Sequence, residues 1–163
     1  MKKLYFTLSF IFCINVLAFS QTIKETIPEF AESLFNLNKT EIKTTLTNRG
    51  FNLLPKETLA QFGYDEKNVV AGYGNYQIWC IVCFDNKGSI EKILVNNVKY
   101  TNAQNMISEY TSMGYIEDEE NSTRQELVFV KRNKKYTYAA FVNFMVNPYS
   151  CITKTEFRRA VKK

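Results

Sequence analysis

Histidine is absent from all 163 residues. That excludes Ser-His-Asp and Cys-His nucleophilic catalysis, His-ligated metals, the HExxH helix and an imidazole pH switch. No glycine-rich phosphate loop is present. Gly72-Tyr73-Gly74 lacks both the spacing and a following helix. Past residue 20 no apolar run is long enough to cross a bilayer. The net charge is only +5, which is weak as an electrostatic argument for nucleic acid.

What is present begins with a leader. Lys2 and Lys3 form a basic n-region, and Leu4 to Phe19 is apolar apart from Thr7, Ser9 and Asn15. Ala18-Phe19-Ser20 places small residues where a signal peptidase needs them, so residues 1–20 read as a signal peptide cut between Ser20 and Gln21. The stretch falls short of a membrane anchor. Phe12 before Cys13 speaks against lipidation, which needs a small residue there. Residues 21–163 are then expected to be one exported domain, periplasmic or extracellular, without a transmembrane segment. A chain of roughly 150 residues buries about 68–70% of its unfolded surface, so a core without staples is within reach.

Trp79-Cys80-Ile81-Val82-Cys83 matches the WCxxC pattern of thioredoxin-like oxidoreductases. That chemistry needs the first cysteine at a helix N-terminus. Here Tyr76 to Phe84 is a run of β-branched and aromatic residues ending in the turn signal Asp85-Asn86-Lys87-Gly88. The segment is expected to be a strand, with residues 80 and 83 on opposite faces and no redox activity. Cleavage of the leader leaves Cys80, Cys83 and Cys151. One bridge plus one thiol, or three buried thiols, both fit; a bridge between elements would join Cys151 to Cys80 or Cys83.

The remaining pattern reads as two similar units. Thr26 caps a first helix with Pro28 in its opening turn, followed by Phe30, Leu34 and Leu37 at helical spacing. Asn38 and Glu41 form a capping box, Ile42 and Leu46 supply the buried stripe, and Gly50 then Phe51 end the helix. Pro55 to Phe62 reads as a short helix stopped by Gly63. Val69–Tyr73, Tyr76–Phe84 and Ser89–Asn96 follow as three strands of a meander. The second unit starts at a Thr101/Gln104 capping box, uses Met106, Ile107 and Tyr110 on its helix face, and ends at Gly114-Tyr115. Glu126–Lys131, Tyr136–Val146 and Cys151–Phe157 are its three strands. Gly50 matches Gly114 at an offset of 64, Tyr76, Val82 and Phe84 match Tyr136, Val142 and Phe144 at 60, and Ile90 and Lys92 match Ile152 and Lys154 at 62. The expected fold is α+β: tandem αβββ units, pseudo-repeats at about 38–97 and 101–158, sharing one antiparallel sheet with the helices on one face.

This layout resembles the β-lactamase-inhibitor-protein-like architecture, in which tandem helix-plus-antiparallel-sheet repeats occur in exported proteins. The resemblance implies a concave sheet that grips a protein partner.

The long strands are apolar on both sides, so one face should pack on Ile42, Leu46, Met106 and Tyr110. The other is expected to present Trp79, Ile81, Phe141 and Met145 to a partner, unless residues 52–75 fold over it. Lys131, Arg132, Lys134 and Lys135 at a hairpin tip beside that face would steer an acidic partner. The sequence therefore points to a non-catalytic binding module, of inhibitor or immunity type, with an unidentified protein or a second copy as partner and no nucleic acid, cofactor or metal. A small-molecule carrier with a pocket between sheet and helices is the alternative. A hydrolase would have to rest on carboxylates such as Glu57 and Asp65, whose geometry nothing in the sequence fixes.

Overall fold

A computed structural model describes residues 23, 25–74, 78–100, 102–147 and 150–162; the side chains of 98, 99, 146, 147, 150 and 151 fall outside that description. Residues 1–20, expected to be a signal peptide, and Asn75, Tyr76, Thr101, Pro148 and Tyr149 lie outside the described residues.

Capping chemistry sets the helix boundaries. Helix α1 spans Ile27–Leu34: the Thr26 side chain accepts the Glu29 N–H, and Pro28, which has no N–H to waste, sits in the first turn. Helix α2 spans Lys39–Asn48 and opens on the full Asn38/Glu41 capping box. Helix α4 spans Ala103–Ser112. Its cap is Asn102, whose side chain accepts the Asn105 N–H at 2.9 Å, rather than the expected Thr101. Both α2 and α4 end in the same way. Gly50 and Gly114 each adopt φ 80°, and the next residue's N–H reaches back to a carbonyl in the last turn, Phe51 to Leu46 at 3.0 Å and Tyr115 to Tyr110 at 3.1 Å.

Among the described residues eight strands, numbered in chain order, form one antiparallel sheet in the order β1-β2-β3-β4-β8-β7-β6-β5. The first unit supplies β1 (Asn52–Leu53), β2 (Val69–Tyr73), β3 (Trp79–Phe84) and β4 (Ile90–Tyr100). The second supplies β5 (Ile116–Glu117), β6 (Glu126–Arg132), β7 (Tyr136–Asn147) and β8 (Ser150–Val161). Each unit thus has four strands where the sequence suggested three. The additions, β1 and β5, are two residues long and carry no readable alternation. The expected middle strands, β3 and β7, are interior, but the centre belongs to β4 and β8, through which the units join.

The register exposes an internal two-fold. Leu94 on β4 faces Glu156 on β8, and the pairs on either side of them mirror one another: Lys92 with Arg158 on one side, Asn96 with Lys154 on the other. Gly72 pairs with Cys80, which pairs with Val95; in the second unit Phe129 pairs with Ala140, which pairs with Phe157. Val69 and Cys83 in the first unit therefore occupy the places of Glu126 and Asn143 in the second, and Ala71 and Ile81 those of Val128 and Phe141.

Helices α1, α2 and α4 cover one face of this sheet. Phe30, Leu34, Ile42, Leu46, Met106 and Tyr110 pack with Cys80, Val82, Ile93, Val95, Phe129, Ala140, Val142 and Phe157 into the main core, all of them 0–1% exposed. Removing that apolar surface from water drives the layers together, at about 25 cal/mol per Å². Tyr110 sits between Phe129 and Phe157, ring centres 4.8 and 6.2 Å away, and its hydroxyl meets Thr155 Oγ1 at 3.2 Å. Among the described residues helix α1 has no counterpart in the second unit, and it touches both units: Phe30 stacks on Phe51 of the first, ring centres 6.0 Å apart, and bonds reach the second. Ile27 N–H donates to Glu109 at 2.7 Å, Lys131 donates to Glu32 at 2.8 and 3.0 Å, and Arg159 donates to Phe35 O at 2.7 Å.

The fourth helix, α3 (Lys56–Gln61), lies on the other face. Leu59, 4% exposed, packs with Val69, Ala71 and Cys83, joined by Leu54, Tyr64 and Ile81. The segment holding it is tied to the sheet at both ends, by Leu54 N–H to Ala71 O at 2.9 Å and Phe84 N–H to Asn68 O at 2.8 Å. Lys39 from α2 also donates to the carbonyls of Glu66 and Lys67.

Candidate functional site

Alternation along β8 sets up the outer face of the sheet. Thr153, Thr155 and Phe157 are buried toward the helices, so Ile152, Lys154, Glu156 and Arg158 turn outward. Across the strands they continue two rows. One runs Trp79, Asn96, Lys154, Asn143, Glu126; the next runs Ile81, Leu94, Glu156, Phe141, Val128. On this face lies a depression of about 380 Å³ lined by Leu94, Glu126, Phe141, Asn143, Lys154, Glu156 and Arg158.

Its charges are partly organised. Glu156 accepts from Arg158 Nε at 2.5 Å and lies 3.5 Å from Lys92 Nζ. The Arg158 guanidinium stands 5.7 Å from the centre of the Phe141 ring, within cation–π reach. Asn143 donates to Glu126 at 2.6 Å. Lys154 is exposed with no carboxylate within ion-pair distance among the described residues. The floor of Leu94 and Phe141 can seat an apolar side chain, and the rim can pair with charge.

The expected interaction residues do not form one surface. Trp79 is half-buried beside Tyr73, ring centres 5.5 Å apart, and Ile81 is drawn into the cluster under α3. The covering segment thus comes from within residues 52–75. Phe141 lines the depression. Met145, 68% exposed, faces Ile152 across the strand pair at the far end of β7. Polar Asn96, Lys154 and Glu156 interrupt the apolar positions, so the continuous apolar face expected from β3 and β7 is broken by β8.

The basic cluster also needs correction. Lys131 turns to the helix side, where it pairs with Glu32 and stands 5.6 Å over the Tyr115 ring. Arg132 joins an edge groove of about 560 Å³ with Ile116 and Glu117 to Glu120. Lys134 and Lys135 are exposed at the β6–β7 turn, and Lys135 lies 4.9 Å over Tyr136. That turn is near Thr137, eight residues along β7 from Met145, or about 27 Å at 3.4 Å per residue.

Cys80 and Cys83 lie on a strand and on opposite faces, in the main core and under α3 respectively. Both are free thiols, so of the two arrangements the sequence leaves open, the one with a bridge from Cys151 to Cys80 or Cys83 is not the one seen. The register explains it: Cys80 pairs with Val95, which pairs with Thr155, so Cys151 sits two strands across and four residues along. That separation far exceeds the ~7 Å limit on Cα spacing in a disulfide. Burial pushes both thiols above their ordinary pKa, opposed in part by Arg49 for Cys80 and by Lys92 for Cys83.

Glu57 is exposed on α3, and Asp65 accepts the Lys67 N–H at 2.9 Å in a local turn. Among the described residues no three His, Cys, Asp or Glu are grouped to hold a metal, and no helix is long and apolar enough to cross a membrane. The sequence reading missed Lys92, Leu94, Glu126, Asn143, Lys154, Glu156 and Arg158. The alternation of Ile152, Lys154, Glu156 and Arg158 was the available signal, had the last strand been carried beyond Phe157. Comparison with protein-family models, with curated proteins and with solved structures finds no match.

Proposed function

We propose that this chain is an exported binding module that holds a partner protein against the outer face of its sheet. The observation that carries the reading is the depression over Leu94 and Phe141, rimmed by Lys154, Glu156, Arg158 and Glu126. A sheet face covered by the chain's own α3 in one unit and left open in the other is a face with room for something else. Interfaces of this kind place apolar anchors in the middle and charge around them. The leader of residues 1–20 supports export.

The test uses the full chain carrying a photoreactive benzoylphenylalanine in place of Phe141, or of Thr44 as an exposed control on α2. Expressed in a secreting host and irradiated, the exported chain should begin at Gln21. It should crosslink to a saturable partner from position 141 and not from position 44. A chain retained inside the cell with Met1 intact, or crosslinks indifferent to position, would overturn the reading.

A further inference from the structure

The internal two-fold makes the first unit a template for what the second unit's depression accepts. Val69, Ala71, Ile81 and Cys83 have as counterparts Glu126, Val128, Phe141 and Asn143. In the first unit these four positions are covered by α3 and its flanks, with Leu59 seated at the centre. In the second, the turn 118–125 is about half as long as the covering segment 54–68. Ser122 Oγ in that turn accepts from the Val128 N–H at 3.0 Å, and Val128 is 5% exposed. Glu126, Phe141 and Asn143 are left to line the open depression. Through Glu126, Phe141 and Asn143 the depression overlaps, on an equivalent backbone, the positions on which a short amphipathic helix packs elsewhere in the same chain, and it extends from there over β4 and β8.

Charge narrows the occupant further. Lys92 and Arg158 share the single carboxylate of Glu156, Glu126 is taken up by Asn143, and Lys154 has no partner among the described residues. Among the lining residues Lys154 and Arg158 balance Glu126 and Glu156, and Lys92, 3.5 Å from Glu156 at the rim, adds one further cation, so the complementary surface carries net negative charge. We infer that the depression takes an acidic amphipathic helix of a partner protein. A leucine-class side chain would seat on Leu94 and Phe141 beside Asn143, as Leu59 seats among Ala71, Ile81 and Cys83. An Asp or Glu one turn away would face Lys154 and Arg158. This rests on the binding reading above and specifies the partner's form.

The test pans a displayed library of random peptides of about twelve residues, some three helical turns, on the chain from Gln21 onward. Selected peptides are then measured by anisotropy and circular dichroism against Phe141→Ser and Lys154→Glu. Lys154 is exposed, so the second variant keeps the fold even if the first weakens it. The expected peptides combine a Leu, Ile or Met with an acidic residue three or four positions away, and gain helix on binding. They should lose affinity by about thirtyfold with Phe141→Ser and about tenfold with Lys154→Glu. Peptides that need Phe141 but bind extended, or that are basic, would overturn the helix inference while leaving the binding reading intact. Peptides indifferent to both variants, or none above background, would overturn both.

Discussion

Replacing Leu59 with alanine separates the cover of the outer face from the main core. Leu59 is 4% exposed and belongs to a small cluster with Val69, Ala71 and Cys83 that is distinct from the core beneath the helices. Leu→Ala in a core costs about 2–5 kcal/mol. A surface cluster can collapse into part of the space, so about 2–3 kcal/mol is expected here. Most of that should appear as easier local opening of residues 54–68, since few buried apolar contacts hold the segment. At 1.4 kcal/mol per tenfold, the open population rises by roughly 30–150-fold. Cys83 reports it directly. It is 7% exposed under α3, while Cys80 on the same strand is buried in the main core. Alkylation of the native protein, read by mass spectrometry of the peptide spanning both cysteines, should show Cys83 labelled faster by that factor and Cys80 unchanged. If both accelerated together, the variant would be opening globally and α3 would be no separable cover. If neither accelerated, the packing of Leu59 on Cys83 would be wrong.

Gly50→Ala and Gly114→Ala should each cost about 1–2 kcal/mol and add in the double variant, as measured by urea unfolding. Both glycines sit at φ 80° with nothing within 4 Å of an added Cβ, so backbone strain is the whole effect and unequal costs would break the equivalence of the two helix ends. Alkaline stability should turn on Tyr110 and Tyr115, whose phenols burial holds above the ordinary value of 10.0, with Glu32 adding to the shift at Tyr115 and Thr155 opposing it at Tyr110. A raised phenol binds its proton more tightly folded than unfolded. Stability is therefore unaffected below pH 10 and falls as pH rises above it, and Tyr115→Phe should move the alkaline unfolding midpoint upward by ellipticity; a downward shift would refute the assignment.

Most of the fold was legible because its boundaries are made by local chemistry. Asn38 with Glu41, Gly50 with Phe51 and Gly114 with Tyr115 act within one helical turn, and each is found where the sequence places it. The long strands were legible through β-branched and aromatic runs. What escaped depends on partners far along the chain. Asn52–Leu53 and Ile116–Glu117 are strands only because β2 and β6 offer them an edge. Residues Arg158 to Val161 extend β8 beyond the apolar pattern because β7 pairs with them along their length, and Arg159 ends among Phe35, Asn36 and Tyr136 instead of in solvent.

The site was less legible for a related reason. Alternation assigns a residue to a face but does not say what lies over that face. Ile81 and Phe141 occupy equivalent positions on equivalent strands, and both are apolar. Both are half-buried, Ile81 packed against the cluster under α3 and Phe141 in the lining of the depression. The difference lies in the connection between the first and second strands of each unit, long enough in one to form a helix and return, and in the other only long enough to turn. The sheet positions answer to it. Val69 and Cys83 beneath α3 are apolar, while their counterparts Glu126 and Asn143 are polar and satisfy each other at 2.6 Å. An apolar pair in those places would leave the second face dependent on permanent cover. Glu126 and Asn143 tolerate water, so the face can stand uncovered and still offer Phe141 and Leu94 as a floor. Polar groups that bond to each other and to water leave such a face without the cost of an uncovered apolar core.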